Sequence, residues 1–254
     1  MESRDQNEAG TPAPVGGLSP QFAALLESAA RFQELVPGAV MVGGSAAAIF
    51  ARHRLSTDHD HVLVDLAGRY EAVLEALEDD PAWVPSPRSR PPLTILGSHD
   101  GFEAGLRQLR RSRPLDTEQV TLPSGATLIV PTFAETLRVK GYLVVRRNRM
   151  RDYLDVAALA DAMGAGRAAR VLAGMDEYYT ERTASGDAVS TALAEMLAVA
   201  RPRDHKATAD LAHYKELDEK WQDWRDVQAA CRELAKEMVR CPATGGIDPA
   251  GGRG

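Results

Sequence analysis

Val42-Gly43-Gly44-Ser45, then ten residues, then Ser56-Thr57-Asp58-His59-Asp60, is the stretch on which the reading of this chain turns. A buried strand over residues 39–42, two glycines and a helical run over 46–52 read as strand, turn and helix. The glycines let the backbone approach an anion closely. Ser45 then stands where a helix begins, among free N–H groups at the positive end of its dipole. Asp58 and Asp60 start the next strand two residues apart, so both carboxylates project from one face of the sheet and His59 from the other. Such a pair is what one or two divalent cations need over a reacting phosphate. Neither half is specific alone: Gly-Gly-Ser is a common strand-to-helix turn, and Asp-x-Asp a common strand end. The specificity lies in the strand–turn–helix–strand spacing.

Outward from this stretch, Ser19-Pro20 reads as an N-cap with proline at the first helical position, opening a helix to about Leu35 that Pro37-Gly38 ends. Residues 58–66 read as the strand of the aspartates, 69–77 as a helix with Val73, Leu74 and Leu77 on its apolar side, and 93–96 as a further strand. Two apolar runs, 118–122 and 126–130, flank Pro123-Ser124-Gly125, a hairpin signal. After Pro131 the pattern turns helical, over 135–145, 153–163 and 189–200. A last long helix shows Leu217, Trp221, Trp224, Cys231, Leu234 and Met238 on one face. The expected fold class is α/β (α+β): a core with a mixed sheet over 19–131, then a helical region over 132–240 that completes the cleft. Residues 1–18 are expected to be a disordered tail and 241–254 a flexible one, and no internal repeat is visible.

Composition narrows the function classes. The chain has 254 residues, 44% of them hydrophobic, enough for a substantial core. Its net charge of −6 excludes a global basic field as the attraction for a nucleic acid. Local basic groups remain: Arg107, Arg110, Arg111 and Arg113, and an acid-free run from Arg138 to Arg151. Cys231 and Cys241 have neither the number nor the neighbours for a disulfide framework or a zinc site, which points to a reducing cytosol. Residues 1–17 lack the apolar segment of a signal peptide, and the longest apolar run, 38–51, is too short and glycine-broken to cross a bilayer. The expectation is a soluble cytoplasmic protein that does not bind membranes.

A second group of residues bears on the same chemistry. Lys140 on a helix would set a full positive charge against the β- and γ-phosphates of a nucleotide. Eleven residues later begins Arg151-Asp152-Tyr153-Leu154-Asp155. Asp155 is suited either to accept the proton of an attacking hydroxyl or to orient Lys140. Arg151 and Asp155 also fit a plain i,i+4 helix pair, and Asp152 an N-cap.

Taken together, these motifs resemble the polymerase-β-like nucleotidyltransferases, and most of all the AbiEii-type toxins, including the MenT-like toxins. Those pair a glycine-serine turn with an Arg-x-Ser/Thr-x-Asp-x-Asp strand, here Arg54, Ser56, Asp58 and Asp60. A helical lysine follows, here Lys140, and then an Arg-Asp-x-x-Asp stretch, here Arg151 to Asp155. The resemblance covers residues 42–159. It implies a polymerase-β-like core and an enzyme that moves NMP from an NTP and releases pyrophosphate. By the same resemblance Asp58 and Asp60 hold Mg²⁺ (or Mn²⁺), Gly44, Ser45, Ser56 and Lys140 bind the NTP, and Lys140 and Asp155 join the aspartates in catalysis. The implied acceptor is the 3′ end of tRNA, the implied role that of the toxin of a toxin–antitoxin pair, and the implied partner a cognate antitoxin. Arg146, Arg147, Arg149 and Arg151 are candidates for phosphate contacts to an acceptor stem, or equally a solvated turn between helices.

Two departures from the family pattern stand out. His59 occupies the usually apolar place between the aspartates, and with His61 it makes a His-x-His pair without further zinc ligands. The strand over 126–130 carries no third carboxylate, Glu118 being a weak stand-in, so Asp155 is the expected general base. Two rival readings follow: a small-molecule nucleotidyltransferase of the aminoglycoside or lincosamide type, and a catalytically silent module of the same fold. The basic run argues against a cationic drug as acceptor, and the missing carboxylate supports the silent module.

Overall fold

The computed structural model describes residues 18–241 except 112, 184, 185 and 215, so the expected tails lie, apart from Leu18 and Cys241, outside the described residues. The chain has the expected α/β fold class, built on a mixed five-stranded sheet. Strands β1 (Val40–Val42), β2 (Asp58–Leu63), β3 (Trp83–Pro85), β4 (Thr94–His99) and β5 (Phe102–Gln108) lie in the order β1-β2-β5-β4-β3. Only β2 and β5 run parallel. A separate hairpin, β6 (Thr117–Thr121) and β7 (Thr127–Pro131), turns at the expected Pro123-Ser124-Gly125, where Gly125 takes a φ of +91°.

Helices α1 (Pro20–Leu35), α2 (Gly43–Ala51) and α3 (Leu66–Glu78) accompany the sheet. Ser19 caps α1 as expected, its hydroxyl accepting from Phe22 N–H. The second half is helical: α4 (Phe133–Arg147), α5 (Met150–Met163), α6 (Ala165–Ala173), α7 (Val189–Val199) and α8 (Trp224–Arg240). Alanines 46, 47 and 48 let α2 lie close to both halves at once. Ala46 and Ala48 pack with α1 and the hairpin, Ala47 packs with α4 and α5, and Phe50 stacks on Phe133 at 4.8 Å. No described helix is long and apolar enough to cross a membrane.

Two sequence expectations need correction, and one element was missed. α2 starts at Gly43 itself, so both glycines lie in its first turn and not in a preceding loop. The last apolar face is divided: Leu217 and Trp221 belong to an irregular stretch with a short 3₁₀ turn. Asp223 then caps α8 by accepting from Arg225 N–H at 2.8 Å. The largest omission is β5, which pairs with the strand of the aspartates. Its alternation is hidden by Gly105, where a Cβ would stand 2.6 Å from Asp60 Oδ1. The glycine that makes room for the site also removes the period-two signal of the strand.

Candidate active site

β2 alternates as its sequence requires. Asp58, Asp60 and Val62 line a cleft of about 980 Å³, while His59 and Leu63 are buried on the opposite face of the sheet. His61 is buried with them, stacked on Phe32 at 4.6 Å. Ser28 lies 3.3 Å from His59 and 3.0 Å from His99. Burial first, and then the charge of His99, lowers the pKa of His59 to about 4. Burial and His59 push His61 well below the usual range. These histidines are core residues held neutral by burial; among the described residues no group of three or more His, Cys, Asp and Glu side chains is placed to hold a metal.

The floor of the cleft is closely fitted around the aspartates. Gly43, at φ +82°, would place a Cβ 3.4 Å from Asp60 Oδ2, and Gly105 is tighter still. Ser56 Oγ donates to Asp58 Oδ1 at 3.2 Å. Asp60 Oδ1 accepts from Arg107 Nη1, which reaches over from β5. Two carboxylates on one face suit Mg²⁺, which commonly takes one or two carboxylates and completes its shell with water and substrate phosphate. Such an ion would have to compete with Arg107 for Asp60.

The proposed nucleotide ligands divide. Gly44 lines the cleft, where a Cβ would meet Arg54 Nη2 at 2.8 Å and Ser56 Oγ at 2.9 Å, so this glycine also serves packing. Ser45 is fully buried, and its hydroxyl donates to the carbonyl of Asp58 at 2.5 Å. Its side chain therefore anchors the start of β2, and only its backbone remains as an anion ligand at the helix end.

The facing wall comes from α4 and α5. Lys140 lines the cleft yet is buried, its Nζ 2.6 Å from Asp155 Oδ2. Asp155 is fully buried and also accepts from His53 Nε2 at 2.7 Å and from Arg54 Nε and Nη2 at 3.0 and 3.2 Å. Burial opposes its charge, but Arg54, Lys140 and His53 overcome that and hold the carboxyl well below the usual range. A carboxylate so occupied is a poor proton acceptor. Of the two roles expected for Asp155, the geometry fits orientation of Lys140 and not general base.

The N-cap alternative for Asp152 does not hold, since Asp152 is the third residue of α5, behind Arg149. It lines the cleft, its Oδ2 has no hydrogen-bond partner, and burial raises its pKa although Lys140 opposes this. On the floor, Glu103 of β5 sits in register with Asp58 and lines the cleft. It was passed over in the sequence because β5 itself was missed, and with Asp58 and Asp60 it does not make up a group placed to hold a metal. Glu118 lies on the hairpin and does not line the cleft.

The basic run also divides. Arg138 is buried against Tyr178 at 3.8 Å and paired with Asp116 and Glu135. Glu135 also accepts from Arg111 at 2.6 Å. This ion network, with Tyr142 stacked on Tyr179 at 4.1 Å, borders the far end of the cleft. Arg146, Arg147, Arg149 and Arg151 do come together at the corner between α4 and α5, close to Asp60.

Comparison with solved structures decides what kind of architecture this is. The MenT4 nucleotidyltransferase toxin of Mycobacterium tuberculosis superposes with a TM-score of 0.56 at 16% identity, over 87% of this chain and 84% of that one. The fold is that of a nucleotidyltransferase. No family model matches the sequence. Among curated proteins, the mycolic acid-containing lipids exporter MmpL11 of Mycolicibacterium smegmatis is 31% identical over 234 residues, 89% of this chain and 22% of that protein. The heme uptake protein MmpL11 of Mycobacterium tuberculosis is 40% identical over 130 residues, 51% of this chain and 13% of that protein. The chain thus spans about a fifth or less of the length of these relatives.

Proposed function

We propose that this chain is a metal-dependent nucleotidyltransferase that moves NMP from an NTP to an RNA acceptor, the 3′ end of tRNA, as an AbiEii-type toxin with a cognate antitoxin. The observation that carries this is the shared cleft: Asp58 and Asp60 on one face of β2, with the glycine turn beside them and Lys140 opposite. Asp58 and Asp60 would hold Mg²⁺ (or Mn²⁺), which when bound offsets charge on the α-phosphate and on the departing pyrophosphate. The first-turn amides of α2 and the Lys140 ammonium receive the triphosphate, and Asp155 with Arg54 fixes the position of that ammonium. The acceptor hydroxyl oxygen bonds to the α-phosphorus and the bond to the β-phosphate breaks. The hydroxyl proton passes to Asp152, the cleft carboxyl with the raised pKa. The reaction belongs in the cytoplasm, where NTP and tRNA are.

The test is incubation of purified protein with Mg²⁺, each labelled NTP in turn and total bacterial tRNA, beside an aminoglycoside panel. Label in tRNA, absent with Asp58→Asn, supports the reading. Label confined to the drugs would replace the acceptor, and no label in either would remove the activity.

A second reading has its own support. Alignment of 89% of the chain with part of a lipid exporter, and the Arg107 guanidinium on Asp60, fit a silent module of the same fold that works alongside a transporter. It predicts NTP binding without turnover, and co-purification with membrane transport proteins in place of a small antitoxin.

A further inference from the structure

Beside the main cleft is a smaller pocket of about 460 Å³, lined by Asp60 and by Arg107, Arg146, Arg147, Arg149, Arg151 and Arg203. The arginines come from β5, from the corner between α4 and α5, and from the segment after α7. That segment is fastened to the corner: Arg203 N–H donates to Asn148 O at 2.8 Å, and Asp204 Oδ1 accepts from Met150 N–H at 2.8 Å. Asn148, at φ +50°, ends α4, and its side chain accepts from Tyr153 OH at 2.8 Å. The pocket is a built corner and not a chance approach of long side chains.

Its charge is poorly balanced. Arg107 pairs with Asp60, Arg149 lies 3.7 Å from Asp204 and Arg146 lies 4.0 Å from Glu181. Arg147 and Arg151 form no close ion pair but lie near enough to Asp152 to favour its charged form, and Arg203 forms no ion pair with any described carboxylate. Arg146 and Arg147 stand at the C-terminal turn of α4, where cations are favourable, but Arg149 and Arg151 stand at the N-terminus of α5, where they are not. Packing does not require such an arrangement, whereas an anion would relieve it. Planar guanidinium groups converging from several sides match the tetrahedral oxygens of a phosphate.

We infer that this pocket seats a phosphate of the acceptor, on the side of Asp60 opposite the glycine turn. In the sheet register Asp60 lies between Val42 of β1 and Gly105 of β5. Gly43 and Gly44 follow β1 and line the main cleft but not the pocket, Arg149 and Arg203 line the pocket but not the main cleft, and Asp60, Arg107, Arg146, Arg147 and Arg151 lie where the two meet. The two substrates of a transfer reaction must reach the carboxylates from different directions. With nucleotide phosphates at the glycine turn, the arginine side is left for the partner. An anion there also competes with Asp60 for Arg107, loosening the pair that opposes a metal. The same phosphate chemistry could come from the β- and γ-phosphates of the NTP, so the test separates the two sources. The inference rests on the nucleotidyl-transfer reading.

The experiment uses the full chain without metal. Binding of a short labelled single-stranded oligoribonucleotide is followed by anisotropy, and binding of inorganic tripolyphosphate by calorimetry. The variants are Arg149→Ala/Arg203→Ala, whose side chains line the pocket and not the main cleft, and, as a control, Arg232→Ala/Arg240→Ala on α8. All four arginines are exposed, so both variants should fold, which circular dichroism verifies. The pocket variant should lose about ten-fold or more in oligonucleotide affinity at low salt. Its slope of log K against log salt should fall by about 1.4, from two lost contacts at about 0.7 each. Tripolyphosphate binding should stay within about two-fold of the parent, and the α8 control should match the parent throughout. Unchanged oligonucleotide affinity overturns the inference, as does an equal loss in the control. Loss of tripolyphosphate binding in step with the oligonucleotide also overturns it, giving the pocket to the NTP. Since neither metal nor turnover enters, absent NMP transfer beside intact pocket binding would count against the proposed function alone.

Discussion

On the sheet wall of the cleft, Asp60 keeps 33% of its side chain exposed and meets one cation, Arg107, itself 43% exposed. On the helical wall, Asp155 is fully buried and meets His53, Arg54 and Lys140 together. The residue type is the same and the consequence opposite. An open carboxylate with one exchangeable partner can pass to a metal at little cost to the fold. A sealed carboxylate with three partners is part of the fold, and removing it strands buried cations. In this cleft, chemistry is expected where the acid is weakly held, and support where it is strongly held.

The comparison can be broken most directly through activity. Asp58→Asn and Asp60→Asn should each lower NMP transfer by about two orders of magnitude or more while the urea midpoint stays within error of the parent. Wild-type turnover in either variant would end the assignment of the sheet wall. Asp155→Ala should do the reverse to stability, costing on the order of 3–5 kcal/mol in urea unfolding because Lys140 and Arg54 lose their buried partner. If it unfolds like the parent, the helical wall is not a structural hub.

Titration sharpens the contrast between the two faces of β2. His59 and His61 have folded pKa values below the ordinary 6.5, His59 near 4. The unfolded chain therefore takes up protons that the folded chain refuses, and stability should decline as pH falls from about 6.5 towards 4. Asp155, held well below the usual carboxylate range, keeps its contribution through that window and loses it only in stronger acid. His59→Gln should flatten the decline between pH 6.5 and 4, read by urea midpoints at each pH; an unchanged slope would deny that the back face is a neutral core. A smaller effect is expected at Lys140. Lys140→Ala should weaken NTP binding by calorimetry, whereas Arg146→Ala, 59% exposed, should leave it nearly unchanged.

Several features of this cleft were legible in the sequence because they depend on local rules. Strand alternation alone set Asp58 and Asp60 on one face and His59 on the other. The Ser19-Pro20 cap, the Gly125 hairpin and the long helices followed from turn chemistry and apolar spacing. Other features depend on partners far apart in the chain. Gly105 looked like a break in a pattern until Asp60 was seen beside it, and with β5 went Glu103 and Arg107. Asp155 read as a base because a lone helix shows neither His53 nor Arg54, which arrive from over a hundred residues earlier in the case of both.

What the sequence determined by itself was therefore the inventory and its local direction: the fold class, the glycine turn, the acidic pair on one face of a strand, and a lysine on a helix. Tertiary structure alone decided which charges are free to react. Whether a carboxylate is a ligand, a base or a structural hub depends on how many cations reach it and how much water they exclude. Those quantities are properties of approach between β2, β5, α4 and α5, and no local period in the chain encodes them.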